Sequence, residues 1–374
     1  MEYKKLGDIA TYINGYPFKP EDRGECGLPI IRIQDLTGNT YDLGYYDGKY
    51  PERIEINNGD ILISWSASLG VYVWNRGKAL LNQHIFKVVF DKVEINKRYF
   101  VYAVQFKLKE MEAKTHGATM KHIVKKDFDS TLIPYPSLKE QSRIAETIDS
   151  IAKTINMRQK ELQRLDDLVK ARFVEMFGTE TELDKWHCGT VSDVADVCVG
   201  VVIKPTQYYA DIGIPAFRSL NIGEMCVKDA DWVYFTEEGH RKNQKSVIRK
   251  NDVLVVRSGA PGTACVASEK YAGYNAVDII IAHPDNNKVN SVFLAAFTNM
   301  PHGMNQIRAK TGGAAQQHFN VGGYKAMRLI MPPIELQEQF AAFVEQIDKS
   351  KAAVQKALDE TQLLFDSLMQ QYLA

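Results

Sequence analysis

Two stretches of this 374-residue chain concentrate positive charge. From Lys97 to Lys126 there are eight Lys and Arg residues against Glu110 and Glu112, and from Lys288 to Arg328 there are five basic residues and no acidic one. His116 and His122 lie within the first stretch and His302 and His318 within the second. Lysine and arginine gathered in this way can neutralise phosphates, and Thr, Gly, Asn and Gln loops beside them can reach base edges. A solvated helix face would produce one such cluster as readily, so it is the recurrence that favours nucleic acid. The candidates for meeting it are Lys114, Thr115, Gly117 and Lys121 in the first stretch, and Lys310, Thr311, Gly313, Gln316 and Gln317 in the second. A further set, Gln83 and His84, Arg32 and Gln34, Arg218 and Arg257, is chosen because Arg suits guanine and Gln suits adenine. A structural role fits these equally well; Arg32 and Arg218 follow apolar runs at matching positions and could be scaffold ion-pair residues.

Other chemistry finds little support. The strings nearest a base-flipping Asn-Pro-Pro-aromatic motif, Ile133-Pro-Tyr-Pro136 and Met331-Pro-Pro-Ile334, lack the leading Asn or Asp and the trailing aromatic, and read as strand terminators. No Gly-Lys-Ser or Gly-Lys-Thr follows a Gly-rich turn. Asp91, Glu94 and Lys97 could be forced into a nuclease site, but charged loops make such strings routinely. The eight histidines show no metal-ligand grouping, and the five cysteines contain no C-x-x-C pair. No residue is nominated as catalytic and none as a metal ligand.

The elements that must carry the basic stretches are two long helices. Over Leu138 to Phe177, apolar residues at Ile144, Ile148, Ile151, Ile155, Leu162 and Leu165 recur in steps of three and four with no Pro or Gly between, and Arg158 and Arg172 intrude on the seam. Forty residues at ~1.5 Å each predict a rod of ~60 Å. Such a stripe needs a partner, and the final forty residues supply one, with Phe340, Phe343, Ile347, Val354, Leu364 and Leu368 in the same rhythm. Pro136-to-Gln141 and Pro333-to-Gln339 open the two helices alike.

The rest of the chain also repeats, at an offset of roughly 200 residues. Asp8-Ile-Ala is echoed by Asp193-Val-Ala, Leu28-Pro-Ile-Ile-Arg32 by Ile214-Pro-Ala-Phe-Arg218, and Gly59-Asp-Ile-Leu-Ile-Ser-Trp-Ser66 by Asn251-Asp-Val-Leu-Val-Val-Arg-Ser258. Asn82 matches Asn275, and Ala113-Lys-Thr-His-Gly117 matches Ala309-Lys-Thr-Gly-Gly313, whereas Gln83 and His84 are not kept. The organisation expected is a first recognition domain over 1–137, a central helix over 138–178, a second domain over 179–334 and a last helix over 335–374. The fold class is α+β: two similar mixed domains separated by a long antiparallel two-helix coiled coil, with pseudo-twofold symmetry.

Composition bounds the remainder. Lys plus Arg equals Asp plus Glu at 46 each, so nucleic-acid contact must come from a local face and not from a global field. Odd, unpaired cysteines suit a reducing cytoplasm, and no apolar run is long enough for a membrane span.

The chain resembles the specificity subunits of type I restriction-modification systems along essentially its whole length. The resemblance is carried by Leu132-Ile-Pro-Tyr-Pro136 to Gln141, Leu329-Ile-Met-Pro-Pro333 to Gln339, and the repeated Gly-Asp-Ile-Leu-Ile-Ser and Lys-Thr-x-Gly segments. It implies a bipartite double-stranded DNA target with one half read per domain, docking of two adenine methyltransferase subunits, and restriction/translocase subunits in the full complex. S-adenosylmethionine and ATP with Mg would then sit on those partners, with no cofactor on this chain. A methyltransferase-only or type IIB-like system is the alternative setting, and a stand-alone DNA-modifying enzyme or a protein-binding coiled-coil scaffold are the rival classes.

Overall fold

The structure, a computed structural model, describes residues 2–39, 42–114, 123–311 and 318–374, without the side chains of residues 113, 114 and 183. The chain forms two compact units, residues 1–159 with 356–374, and residues 160–355, so each unit contains part of both long helices.

In the first unit Ile61–Ser64 is buried throughout, because the strand is covered on both faces and reads as a continuous apolar run. Its side chains alternate: Ile61 and Ile63 enter one core with Phe86, Phe100 and Phe128, while Leu62 enters another with Ile30, Leu80 and Ile85. This strand lies between Ile85–Val89 and Gly70–Val73 in a four-stranded sheet completed by Thr11–Asn14. A second four-stranded sheet pairs Leu28–Ile31 in parallel with Ala79–Leu81. Helix Lys97–Lys114 contributes Phe100, Ala103 and Val104 to the first core.

The second unit repeats the plan. Val253–Val256 takes the central place between Ile279–Pro284 and Ala264–Val266, and Ile214–Phe217 pairs in parallel with Asn275–Ala276. Gly15 and Gly200 mark one shared position. At both, an added Cβ would lie 2.0 Å and 2.5 Å from the carbonyl oxygens of Asn82 and Ala276, so only glycine lets the strands approach.

The structural register corrects two of the sequence matches. Tyr3–Lys5 pairs with Leu132–Pro134, and Cys188–Thr190 pairs with Arg328–Ile330, which aligns Ile133 with Leu329 and Pro136 with Pro332, not Pro333. The counterpart of Gln141 is therefore Gln337, not Gln339. Likewise Ile31 pairs with Leu81 where Phe217 pairs with Ala276, so Asn82 corresponds to Val277 and Asn275 to Leu80. Similar residues one or two positions away produce the apparent sequence matches.

The long helices span Leu138–Phe177 and Ile334–Leu373. In the first unit Ile144 and Ile148 share a core with Met369 and Leu373, and the Arg158 guanidinium donates to the Ala357 carbonyl and the Thr361 hydroxyl. In the second unit the Phe173 ring lies 5.4 Å from Phe340, and Lys351 Nζ is 2.6 Å from Asp166. Early residues of one helix meet late residues of the other, so the contact is antiparallel in both units. Ile347 is buried, while Ile151, Ile155, Leu162, Leu165, Phe343, Val354 and Leu368 are half-buried, as a seam between only two helices must be. Leu364 departs from the expected seam. It is 51% exposed, and Thr361 and Phe365 take the inward places because the heptad phase slips by one residue there.

Candidate nucleic-acid interface

Within each basic stretch the backbone is tied to an equivalent scaffold point. In the first unit Ile123 N donates to the Trp65 carbonyl at 3.0 Å, and in the second Phe319 N donates to the Arg257 carbonyl at 2.9 Å. Trp65 and Arg257 stand just beyond equivalent central strands, each followed by serine. Thr115, Gly117, Lys121, Gly313, Gln316 and Gln317 lie outside the described residues, as does the side chain of Lys114.

What surrounds this shared point differs between the units. The Trp65 ring meets His84 edge-on at 4.9 Å and stacks on Phe86 at 5.5 Å. At the corresponding place Arg257 donates from Nη1 to Asp278 at 2.6 Å, from Nε to the Phe319 carbonyl at 3.2 Å, and from Nη2 to His318 Nε2 at 2.8 Å. His318 Nδ1 lies 2.6 Å from the Ser258 hydroxyl. His84 and Asp278 both have left-handed backbone, φ 71° and 49°. The turn holding them has two residues, Gln83 and His84, in the first unit and only Asp278 in the second, because the segments from Asn82 to Ile85 and Val277 to Ile279 differ in length.

The remaining candidates divide. Arg32 and Arg218 belong to the scaffold: Arg32 pairs with the buried Asp35 at 3.3 Å and donates to the Asp42 carbonyl, and Arg218 donates to the Asp231 carbonyl at 2.5 Å. Their backbone N–H groups are capped three residues on by Asp35 and Asn221, at 2.8 and 2.9 Å. Gln34 and Gln83 are half-buried. Lys310 Nζ donates to the Gly323 carbonyl at 2.8 Å, and Thr311 turns inward, its hydroxyl donating to the Ile307 carbonyl at 3.1 Å. Arg257 is buried, and each of its three guanidinium nitrogens donates to a partner within the protein.

A Cys-His-Asp array that the sequence did not suggest lies in the second unit. His283 Nδ1 is 2.6 Å from Asp252, its Nε2 is 3.7 Å from Cys198 Sγ, and Asp252 with Cys198 pushes the imidazole up to about 9. The array is built as scaffold. Cys198 Sγ donates to the Lys245 carbonyl at 3.2 Å, and the other Asp252 oxygen accepts Arg249 N at 2.6 Å. Asp60 in the first unit does the same work, accepting Asn57 N at 2.8 Å and pairing with Lys87 at 3.1 Å. Among the described residues no group of three His, Cys, Asp or Glu side chains could hold a metal, and no helix is long and apolar enough to cross a membrane.

A duplicated α+β scaffold, with unlike side chains at two like points, defines a protein of two related but chemically distinct units. The model of the type I restriction modification DNA specificity domain matches residues 1–167 and 184–361. The chain is 25% identical to the EcoBI specificity subunit of Escherichia coli, over 99% of this chain and 84% of that one, and 24% identical to the StySPI specificity subunit of Salmonella potsdam, over 99% and 86%. Its fold is similar to that of the type I restriction-modification system S subunit from M. genitalium (TM-score 0.54, 15% identity, 100% and 96% coverage). It is also similar to a chain from a study of type I R-M complex assembly and conformational transition (TM-score 0.57, 15% identity, 99% and 96% coverage). The chain belongs to the type I restriction-modification DNA specificity family. Its function is that of a DNA specificity subunit.

Proposed function

We propose that this chain performs no chemistry itself and supplies sequence recognition to a type I restriction-modification complex, each unit reading one half of a bipartite double-stranded target. The observation that carries this reading is the pairing of one scaffold with two chemistries: Trp65 and His84 in one unit, Arg257, Asp278 and His318 in the other. Two readers of different sequences need a constant frame and divergent contact points. The Lys97–Lys126 and Lys288–Arg328 stretches supply phosphate affinity, and the long helices set the spacer and dock two adenine methyltransferase subunits. Restriction/translocase subunits complete the assembly, S-adenosylmethionine and ATP with Mg bind on the partners, and the complex works in the cytoplasm.

Mapping modified adenines in a genome with and without this gene tests the proposal. A bipartite motif that vanishes with the gene is the expected outcome; a continuous motif, or none, would overturn it. S-adenosylmethionine binding by the purified chain alone would favour a stand-alone enzyme. Unchanged DNA affinity after charge reversal at both Lys114 and Lys310 in the assembled complex would favour a protein-binding scaffold.

A further inference from the structure

We propose that Arg257 is the positioning residue of the second unit's reading surface, fixing His318 and Phe319 against Asp278 and Ser258 so that this edge meets DNA in one register. The inference rests on the two-half-site reading above and names how one of those halves is set.

Three observations converge on it. Arg257 is buried although no compact acidic cluster demands a cation there, and each guanidinium nitrogen has a partner: Asp278 at 2.6 Å, the Phe319 carbonyl at 3.2 Å and His318 Nε2 at 2.8 Å. The backbone closes the same point, with Phe319 N donating to the Arg257 carbonyl at 2.9 Å and an isolated bridge joining Ser258 to His318. His318 is exposed while its two nitrogens are both held, by Arg257 and by Ser258 Oγ at 2.6 Å. An exposed imidazole locked from two sides marks an edge whose geometry is specified, since surface side chains otherwise keep their rotamer freedom.

The first unit holds the equivalent point by other means. Ile123 N bonds the Trp65 carbonyl at 3.0 Å, but the side chains there are aromatic, with Trp65 between His84 and Phe86. The backbone tie is thus common property and the side-chain lock is particular to each unit. A planar guanidinium can hold a carboxylate, a carbonyl and an imidazole at once, whereas a lysine ammonium can neutralise Asp278 but cannot reproduce the fork. Charge and positioning can therefore be separated by substitution.

The test uses the methyltransferase complex reconstituted with Arg257→Lys, with Asp278→Asn as a second variant whose carboxamide oxygen can still accept from the guanidinium, and with Trp65→Phe in the first unit. Methylation rates are read on the mapped target and on duplexes carrying single substitutions in either half, alongside the melting temperature of each variant. Arg257→Lys is expected to lower discrimination at one half by about tenfold, the scale of a lost base contact, and to leave the other half within about twofold, whereas Asp278→Asn, which removes the charge and keeps the hydrogen bond, leaves both halves within about twofold. Trp65→Phe is expected to disturb the opposite half. Equal loss at both halves, or no loss at either with Arg257→Lys folded, would overturn the assignment. A wild-type complex indifferent to base substitutions in either half would instead overturn the two-half-site reading beneath it.

Discussion

The side-chain carbonyl of Gln141 accepts the backbone N–H of Asn96 at 2.9 Å, tying the first turn of one long helix to the start of helix Lys97–Lys114. Its amide nitrogen donates to the Pro136 carbonyl at 2.9 Å, and Asn96 in turn accepts the N–H groups of Arg98 and Tyr99 at 3.0 Å. Gln337 reproduces the arrangement with Asn290 and Pro332, both at 2.9 Å, and Asn290 caps Val292 at 2.9 Å. Both glutamines are buried, so each bond replaces water that cannot enter.

Removing either amide strands a half-buried backbone N–H, of Asn96 or Asn290, and a proline carbonyl, of Pro136 or Pro332. Gln141→Ala and Gln337→Ala are each expected to destabilise their own unit by about 2–4 kcal/mol, from two unpaired groups and a small cavity. Urea unfolding followed separately by Trp fluorescence and by amide exchange in each unit checks this. A loss under about 0.5 kcal/mol, the range of ordinary surface changes, would contradict it.

The helix seam offers a contrast. Phe173 is fully buried among Phe177, Phe293 and Phe340, whereas Leu364 is 51% exposed. Phe173→Ala should cost about 3–5 kcal/mol, and Leu364→Ala less than about 0.5 kcal/mol. Denaturation midpoints of the two variants give the comparison directly; comparable losses would mean that Leu364 packs as a seam residue.

Helix extents and the duplication were legible because apolar periodicity and repetition are properties of the chain itself: Leu138–Phe177 reads as a rod, and the segment around Ile61–Ser64 recurs around Val253–Val256. Exact register was not, since Pro332 and Pro333 are alike in sequence and only strand pairing chooses between them. Arg32, Arg218 and Arg257 illustrate the harder case. A guanidinium suits guanine and a backbone carbonyl equally, and what decides is the fold's placement of Asp42, Asp231 and Phe319. Trp65, an aromatic after a strand, reads in sequence as core, and strand pairing places it at the position that Arg257 holds in the second unit.

Two histidines of the second unit should give opposite pH responses. His283 is held up to about 9 by Asp252 and Cys198, so the folded form binds a proton that the unfolded chain releases near 6.5. Its stabilisation is complete below about pH 6.5 and is lost as pH rises to about 9. His302 is buried against the Phe173 and Phe297 rings, and burial lowers its pKa, so stability falls as pH drops below about 6.5. Unfolding free energies from pH 5 to 9.5 should show a high-pH decline that His283→Gln removes and a low-pH decline that His302→Gln reduces. A His283→Gln profile parallel to the native one would refute the first assignment.

The helices provide the last prediction. Arg158 meets Thr361 in the first unit and Asp166 meets Lys351 in the second, so insertions after Leu162 and after Gln355 both fall between these matched contacts. Seven residues in each helix preserve the heptad phase on both sides of the insertion, leaving every seam contact intact. On the proposed reading, in which the helices set the distance between half-sites, the added rise of ~10 Å should lengthen the unread spacer by about three base pairs at ~3.4 Å each. Each half-site should keep its own sequence, because neither reading surface is touched. Adenine modification mapping of the variant measures spacer and half-sites together. An unchanged spacer in a folded, active complex would show that the helix length does not act as the ruler, and altered half-sites would show that the insertion reached the recognition units themselves.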